Sequence, residues 1–463
     1  MALTAWGVSN IGLWTLRDRD LQALAVPTPR KLALLVGINQ YPNMTPLEGC
    51  TTDVELQREL LIHRFGFNPA DILTLTDQNA TRNAVETAFT EHLIQQAKAG
   101  DVVVFHFSGL GSTVADPIGN SEQTSLVMSD VPLSESAPVV NDLLADTLWL
   151  LVRSLKTDKV TTILDTSYFY PGTLLQGNLR VRSFPNPSSA QPSAEALAFQ
   201  DTLLSPLKLD RDRLIAQRPA RQLPGILLKA ADSSQVATEL RWNRFSAGLF
   251  TYALTQALWQ ATAATTVRGT LHTATEQIRQ FTNQQQPSLV GQKTLEPSLV
   301  PYFASFITDS ADGVVLAVDD SGKNAQIWLG GIPAALLDQY SVNSLLSVLP
   351  PSKSSVVQPP ATSTLKLQIT ARDGLFARAK LLAAGGFETE AISSIIQPGQ
   401  LVRESVRLIS RNVGLTVALD SSLARIERVD AVSALSAVPH VSSAIAGEQS
   451  ADYVFSKVSI QPT

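Results

Sequence analysis

Residues 105–112, FHFSGLGS, and residues 163–172, ILDTSYFYPG, decide how the rest of this chain is read. Each stretch closes an apolar, β-branched run, VVVFHF in the first case and VTTIL in the second, and then breaks into small and polar residues. In a parallel α/β sheet such breaks fall at the carboxyl ends of strands, where reactive side chains project into a crevice. A functional site is therefore expected where these two ends lie side by side.

Working outward, the pattern around the two stretches alternates strand and helix. LALLVGINQY (32–41) is a continuous apolar run, as expected of a strand buried on both faces. Leu56, Leu60 and Leu61 then recur at helical spacing, with Asp53 suited to an early helix position. DILTLTD (71–77) reads as a second strand, and a second helix carries Ala84, Val85, Ala88, Phe89 and Leu93 on one face. An apolar helix is expected around 143–155, a further strand in GILLKAADS (225–233), and a helix over 247–259 with Phe250, Ala253, Leu254, Ala257 and Leu258 together. Such alternation implies an α/β fold with a parallel-rich sheet flanked by helices. The Pro, Ser and Asn density of 173–222 predicts an exposed, mobile loop. Texture changes near 297: GVVLAV and NAQIWLGG flank a turn-rich Asp-Asp-Ser-Gly, and later segments alternate apolar and polar residues. The expected organisation is an N-terminal extension (1–30), an α/β domain (31–297) and a β-rich α+β C-terminal domain (298–463).

Composition narrows the function classes. The 463 residues are 44% hydrophobic and 17% charged, with a formal net charge of −5 and no Lys/Arg run, which argues against non-specific nucleic-acid binding. One cysteine excludes an internal disulfide framework, and five histidines never cluster with it at metal-ligand spacing. No stretch is apolar and long enough to span a bilayer. Residues 1–16 are uncharged and a small-residue site precedes Val26, but no basic region leads them. The chain as written reads as cytoplasmic, with export expected only if its true start lies upstream.

Taken together, LLVGINQYP, LEGCTTD, FSGLGS, DTSYFYPG and AADSSQVATE…AGLFTYAL, in that order, resemble the caspase and metacaspase peptidases (peptidase C14), the bacterial metacaspases or orthocaspases in particular. The resemblance covers about residues 30–292. It implies a caspase-like fold and a catalytic His-Cys dyad in motifs usually written YSGHG and D-x-C-H-S-G. Here Leu110 stands at the His position and Ser167 at the Cys position. The chemistry needs a thiolate beside an imidazole, and Leu110 supplies neither function, while a serine is a poor nucleophile without a positioned base. Relatives that replace the pair with Tyr and Ser share only the Ser with this chain.

The resemblance also implies a pocket for a basic P1 side chain, built here from Cys50, Asp53, Ser108 and Asp165. Two converging carboxylates would hold an Arg or Lys by charge-assisted hydrogen bonds. The competing reading has Asp53 capping a helix and Asp165 satisfying loop amides. Gly109 and Gly111 fit a tight turn whose amides could form an oxyanion hole. His106 shares a strand face with Ser108, but is expected to be a buried histidine satisfied locally; Tyr168 is expected to pack, and Cys50 to be an inert core thiol. No cofactor is expected. Calcium is doubtful because Asp130 and Asp142 are scattered and Asn141 breaks the acidic pairing. Arg180 and Arg182 fall where active members cut themselves, and read equally well as solvated surface. The expected function is a pseudoprotease that acts by binding or regulation, its partner a basic peptide or protein segment or an active metacaspase relative. The alternatives are a weak hydrolase using Ser167 and a structural scaffold.

Overall fold

The computed structural model describes residues 29–457 apart from internal segments, of which 117–121, 132–138, 292–299, 351–364, 383–395 and 409–413 are the longest. The N-terminal extension and its signal-like features lie outside the described residues. At the centre is a six-stranded sheet. Its strands in chain order are β1 (Lys31–Gly37), β2 (Ile72–Thr76), β3 (Val102–Ser108), β4 (Val160–Asp165), then, after the short strand β5 (Leu179–Val181) of another sheet, β6 (Ile226–Lys229), and finally, past β7 (Thr238–Trp242) and β8 (Phe245–Gly248), β9 (Ser288–Gly291). The spatial order is β9-β6-β4-β3-β1-β2, parallel throughout except for β9.

Both faces of this sheet are covered, as the continuous apolar runs require. In β1, Ala33 and Leu35 join one core while Leu32, Leu34 and Val36 join the other. Period-two alternation thus buries every residue of the strand centre. The first face carries α1 (Cys50–Phe65); the second carries α2 (Arg82–Ala88), α3 (Ala145–Arg153) and, further on, α4 (Ala194–Leu204) and α5 (Arg211–Gln217). The helices α6 (Leu249–Trp259) and α7 (Val267–Ile278) complete the first face. Gly37 ends β1 where α1 packs closest: a Cβ there would lie 2.4 Å from the Cys50 carbonyl oxygen.

Region 173–222 differs from the loop its composition predicts. It contains β5, α4 and α5, with Ser193 and Asp210 capping the two helices through their side-chain oxygens. Leu203, Leu204 and Leu214 anchor these helices in the second core. The Pro and Ser residues mark the connections, and the apolar residues between them were enough to dock short helices.

Beyond the sheet, six antiparallel strands close into a barrel: β10 (Gly313–Val318), β11 (Asn324–Trp328), β12 (Leu345–Val348), β13 (Lys366–Asp373), β14 (Phe376–Leu382) and β15 (Leu401–Val406). β10 and β11 form the hairpin around Asp319 and Gly322. Among the described residues, the barrel's core is continuous with that of the sheet. Val314, Ile327, Trp328, Leu346 and Leu367 belong to the same buried cluster as Leu60 of α1 and Phe250 of α6. Buried polar ties cross the seam: Tyr302 Oη donates to Gln57 Oε1 at 2.6 Å, and Tyr252 Oη to the Ile332 carbonyl at 2.7 Å. A small parallel sheet of β16 (Leu415–Leu419), β17 (Val441–Ile445) and β18 (Tyr453–Phe455), with α8 (Arg425–Ser436), follows. Among the described residues, no helix is long and apolar enough to cross a membrane.

Candidate functional site

The site forms where β3 and β4 end side by side. Ser108 and Asp165 are direct neighbours in the parallel register. Both point to the face of α1 and α6, because they share strand parity with Val102 and Val104, and with Ile163, all in the first core. α1 brings Cys50 and Asp53 to the same place from its first turn. Cys50, Asp53, Ser108 and Asp165 are each 0% exposed. The residues that sequence placed around one pocket therefore do converge.

The space between them is taken up by the chain itself. The Arg182 side chain, fully buried, places Nη1 2.7 Å from Asp53 Oδ2 and 3.3 Å from Asp165 Oδ2, and Nη2 3.0 Å from Glu239 Oε2. Nη1 also donates to Ser108 Oγ at 2.7 Å, and that hydroxyl donates to Asp53 Oδ2 at 2.6 Å. The expectation that Arg182 is solvated surface is overturned. Arg180, two residues earlier, does lie at the half-exposed surface, against the Pro46 carbonyl and Glu48. Residues two apart share a face in a regular strand, so alternation does not separate the two arginines; Arg180 lies within β5 and Arg182 just past its end, where its side chain enters the acidic cluster.

Three carboxylates around one guanidinium would be costly without further donors, and backbone supplies them. Asp53 Oδ1 accepts from the Gly248 amide (2.9 Å), and Asp165 Oδ2 from the amide and hydroxyl of Thr251 (2.9 and 2.7 Å). These donors belong to the N-terminus of α6, whose dipole favours negative charge. Glu239 accepts from the Glu48 and Gly49 amides at 2.8 and 3.1 Å. Asp53 thus does not cap its own helix, whose N-cap is Gly49; it and Asp165 serve the start of α6. Burial pushes the Asp53 carboxyl up to about 7, with Arg182 pulling it down and Asp165 adding repulsion. Burial also acts to lower the Arg182 pKa, but the surrounding acids carry it well above its ordinary value. Gly248 is required for this fit: a Cβ there would lie 2.3 Å from Asp165 Oδ2 and 2.4 Å from Arg182 Nη1.

The turn after β3 is fully committed as well. Gly109 N donates to the Asp165 carbonyl (3.4 Å) and Leu110 N to Tyr41 Oη (2.9 Å). Gly111 N (3.2 Å), Ser167 N (3.1 Å) and Thr166 Oγ1 (3.3 Å) all donate to the carbonyl of Arg182. The Gly111 and Ser167 amides thus converge on one carbonyl, while the Gly109 amide is used elsewhere. Both are already occupied by the chain itself.

Leu110 is 2% exposed and packs in the second core. Ser167 is equally buried, and its Oγ has no hydrogen-bond partner among the described residues. The nearby imidazole is turned to other work. His106 Nε2 lies 3.3 Å from Thr251 Oγ1, whose own proton goes to Asp165, so Nε2 carries the ring proton and Nδ1 is left bare and unpartnered. Burial, with help from Arg182, lowers the His106 pKa to about 3. The histidine is buried, with one ring nitrogen partnered by Thr251 and the other without a partner among the described residues. Cys50 is a free buried thiol, and burial pushes it well above its ordinary value, so it is no ready nucleophile. Tyr168 packs against the second core.

The acids weighed for calcium have internal partners. Asp130 accepts from the Arg82 amide at 3.0 Å and from Asn141 Nδ2 at 2.5 Å, and Asp142 from Ser125 Oγ at 2.6 Å. Among the described residues, no group of three His, Cys, Asp or Glu side chains could hold a metal ion.

Sequence reasoning missed Arg182, Glu239, Thr251 and Tyr41 as parts of the site. Glu239 lies just past the AADSSQVAT stretch, and a buried acid at the end of that motif was the available signal.

A family model described as the caspase domain matches residues 30–298. Metacaspase-1 of Meyerozyma guilliermondii is 32% identical over 146 residues, covering 30% of this chain and 35% of that protein. Metacaspase-7 of Arabidopsis thaliana is 40% identical over 118 residues, covering 24% of this chain and 28% of that protein. The chain thus spans about a third of these relatives' length. Among solved structures, a structural-genomics protein of Geobacter sulfurreducens aligns with TM-score 0.41 at 18% identity, over 59% of this chain and 98% of that one. Caspase-1 from Spodoptera frugiperda aligns with TM-score 0.34 at 10% identity, over 59% and 90%. With more than half of its length matched by the caspase-domain model, the chain belongs to the caspase-domain family.

Proposed function

We propose that this chain is a catalytically impaired metacaspase-like protein, a pseudoprotease of bacterial, orthocaspase type, that acts by holding protein segments and not by cutting them. The observation that carries this reading is the state of the two dyad positions: Leu110 is a core side chain, and Ser167 Oγ is buried with no base beside it. The imidazole closest in sequence is committed to Thr251 and held neutral. A serine becomes nucleophilic only with a base in hydrogen-bond reach. The set Cys50, Asp53, Ser108 and Asp165 is retained as a pocket for a basic P1 side chain, and its partner chemistry is a basic peptide or protein segment, including one from an active metacaspase relative. Calcium has no part in the proposal, since Asp130 and Asp142 are satisfied by protein donors.

The test is hydrolysis of a fluorogenic arginyl peptide, with and without calcium, by the wild type and by Ser167→Ala. Both are expected to stay at the rate of the buffer. Wild-type turnover that disappears in Ser167→Ala would replace this reading with a serine-type hydrolase.

A further inference from the structure

The loop that follows Ser167 returns to the site and runs through it as an added strand. β5 pairs antiparallel with β7, Leu179 opposite Leu240, Arg180 opposite Glu239 and Val181 opposite Thr238. Arg182 N extends the pairing with a 2.8 Å bond to the Ala237 carbonyl. On the far side of Arg182, Phe184 N donates to the Gly111 carbonyl at 2.8 Å, Ser112 Oγ to the Phe184 carbonyl at 2.6 Å, and Ser183 Oγ to the Phe169 carbonyl at 2.8 Å. Between these anchors, the Arg182 guanidinium occupies the acidic pocket and its carbonyl oxygen sits in the cradle of Gly111 N, Ser167 N and Thr166 Oγ1.

Three independent elements of peptide recognition meet on this one segment. Strand addition fixes the main chain. A charge-assisted set of bonds reads the side chain. A pair of backbone amides, with a hydroxyl, holds the one carbonyl that a hydrolase would polarise. A loop docked merely for stability needs none of them in combination. Resting on the pseudoprotease reading of the same site, we propose that residues 179–184 are a tethered pseudosubstrate, with Arg182 in the place of a P1 arginine and the Arg182–Ser183 peptide bond in the place of a scissile bond.

Two consequences follow. The pocket selects arginine over lysine, because Nη1 faces Asp53 and Asp165 while Nη2 reaches Glu239, a span that a single ammonium cannot bridge. The pocket is also closed to free basic peptides while the segment is docked, since a competitor must displace an intramolecular ligand whose effective concentration is on the order of millimolar. External peptides are admitted only when the segment is released.

In the Leu110→His plus Ser167→Cys variant, this pose has a chemical readout. The introduced thiolate attacks the Arg182 carbonyl carbon, the amide bond to Ser183 breaks, and the introduced imidazole gives its proton to the Ser183 nitrogen. Water then hydrolyses the thioester, leaving a carboxylate on Arg182 and restoring the thiol.

The experiment combines residue-resolved hydrogen exchange on the wild-type chain with N-terminal mapping of the double variant. In the wild type, the amides of Gly111, Ser167 and Arg182 are expected to exchange as slowly as those of β3 and β4. In the double variant, a new N-terminus is expected at Ser183, removed by adding Arg182→Gln. Rapid exchange at the three amides would overturn the docking. A double variant that cleaves an added arginyl peptide while its own 182–183 bond stays intact would overturn the pose. One inert toward both, with the three amides still protected, would also overturn it and reduce the segment to a structural strap. None of these results depends on wild-type turnover, the result that would remove the pseudoprotease reading itself.

Discussion

Arg182→Ala is expected to destabilise the fold by about 3–5 kcal/mol, the usual cost of removing one partner from a buried ionic cluster. Asp53, Asp165 and Glu239 would then face one another with only neutral donors, their amides and hydroxyls, to offset three desolvated charges. The loss should depend on pH with a definite sign. Burial already raises the Asp53 pKa above its ordinary value, and removing the guanidinium, which pulls it down, raises it further. A carboxyl whose pKa is raised in the folded state contributes stability at low pH that is lost as pH rises through that value. Urea unfolding should therefore show a larger deficit for Arg182→Ala at pH 8 than at pH 5. A deficit within about 0.5 kcal/mol of zero at both values, the range of an ordinary surface substitution, would contradict the buried cluster.

Trp328→Ala is expected to cost about 3–5 kcal/mol, the range for emptying a large buried aromatic site. Trp328 is 1% exposed, meets Phe376 edge-on with ring centroids 4.9 Å apart, and belongs to the core that also contains Leu60 and Phe250. Because barrel and α/β sheet share that core, the loss should appear in both at once. Urea unfolding followed by far-UV dichroism and by hydrogen exchange in β3 should shift together. A shift confined to the barrel strands would show two separately stable units.

The α/β frame was legible because local pattern encodes it. The run in β1 has no polar residue from Leu32 to Val36, and only a strand covered on both faces tolerates that. Ser108 and Asp165 were legible as neighbours because both end apolar strands. The side chain held between them was not. Arg182 sits among Pro, Ser and Asn residues, which reads as surface, and the acids that bury it come from positions 53, 165 and 239. No spacing rule links residues so distant; only the strand pairing of β5 with β7 brings the side chain in. The barrel was visible as alternating strands, but its closure depends on pairing between strands distant in sequence, and its shared core on side chains from both halves of the chain.

The most direct test is a titration of wild type and Arg182→Ala with N-acetyl-arginine methylamide, followed by thermal unfolding. If Arg182 occupies the pocket, the wild-type midpoint stays where it is, and the midpoint of Arg182→Ala, lower at the start, climbs saturably as the ligand replaces the missing guanidinium. Equal stabilisation of both proteins would mean an open pocket and would contradict the account.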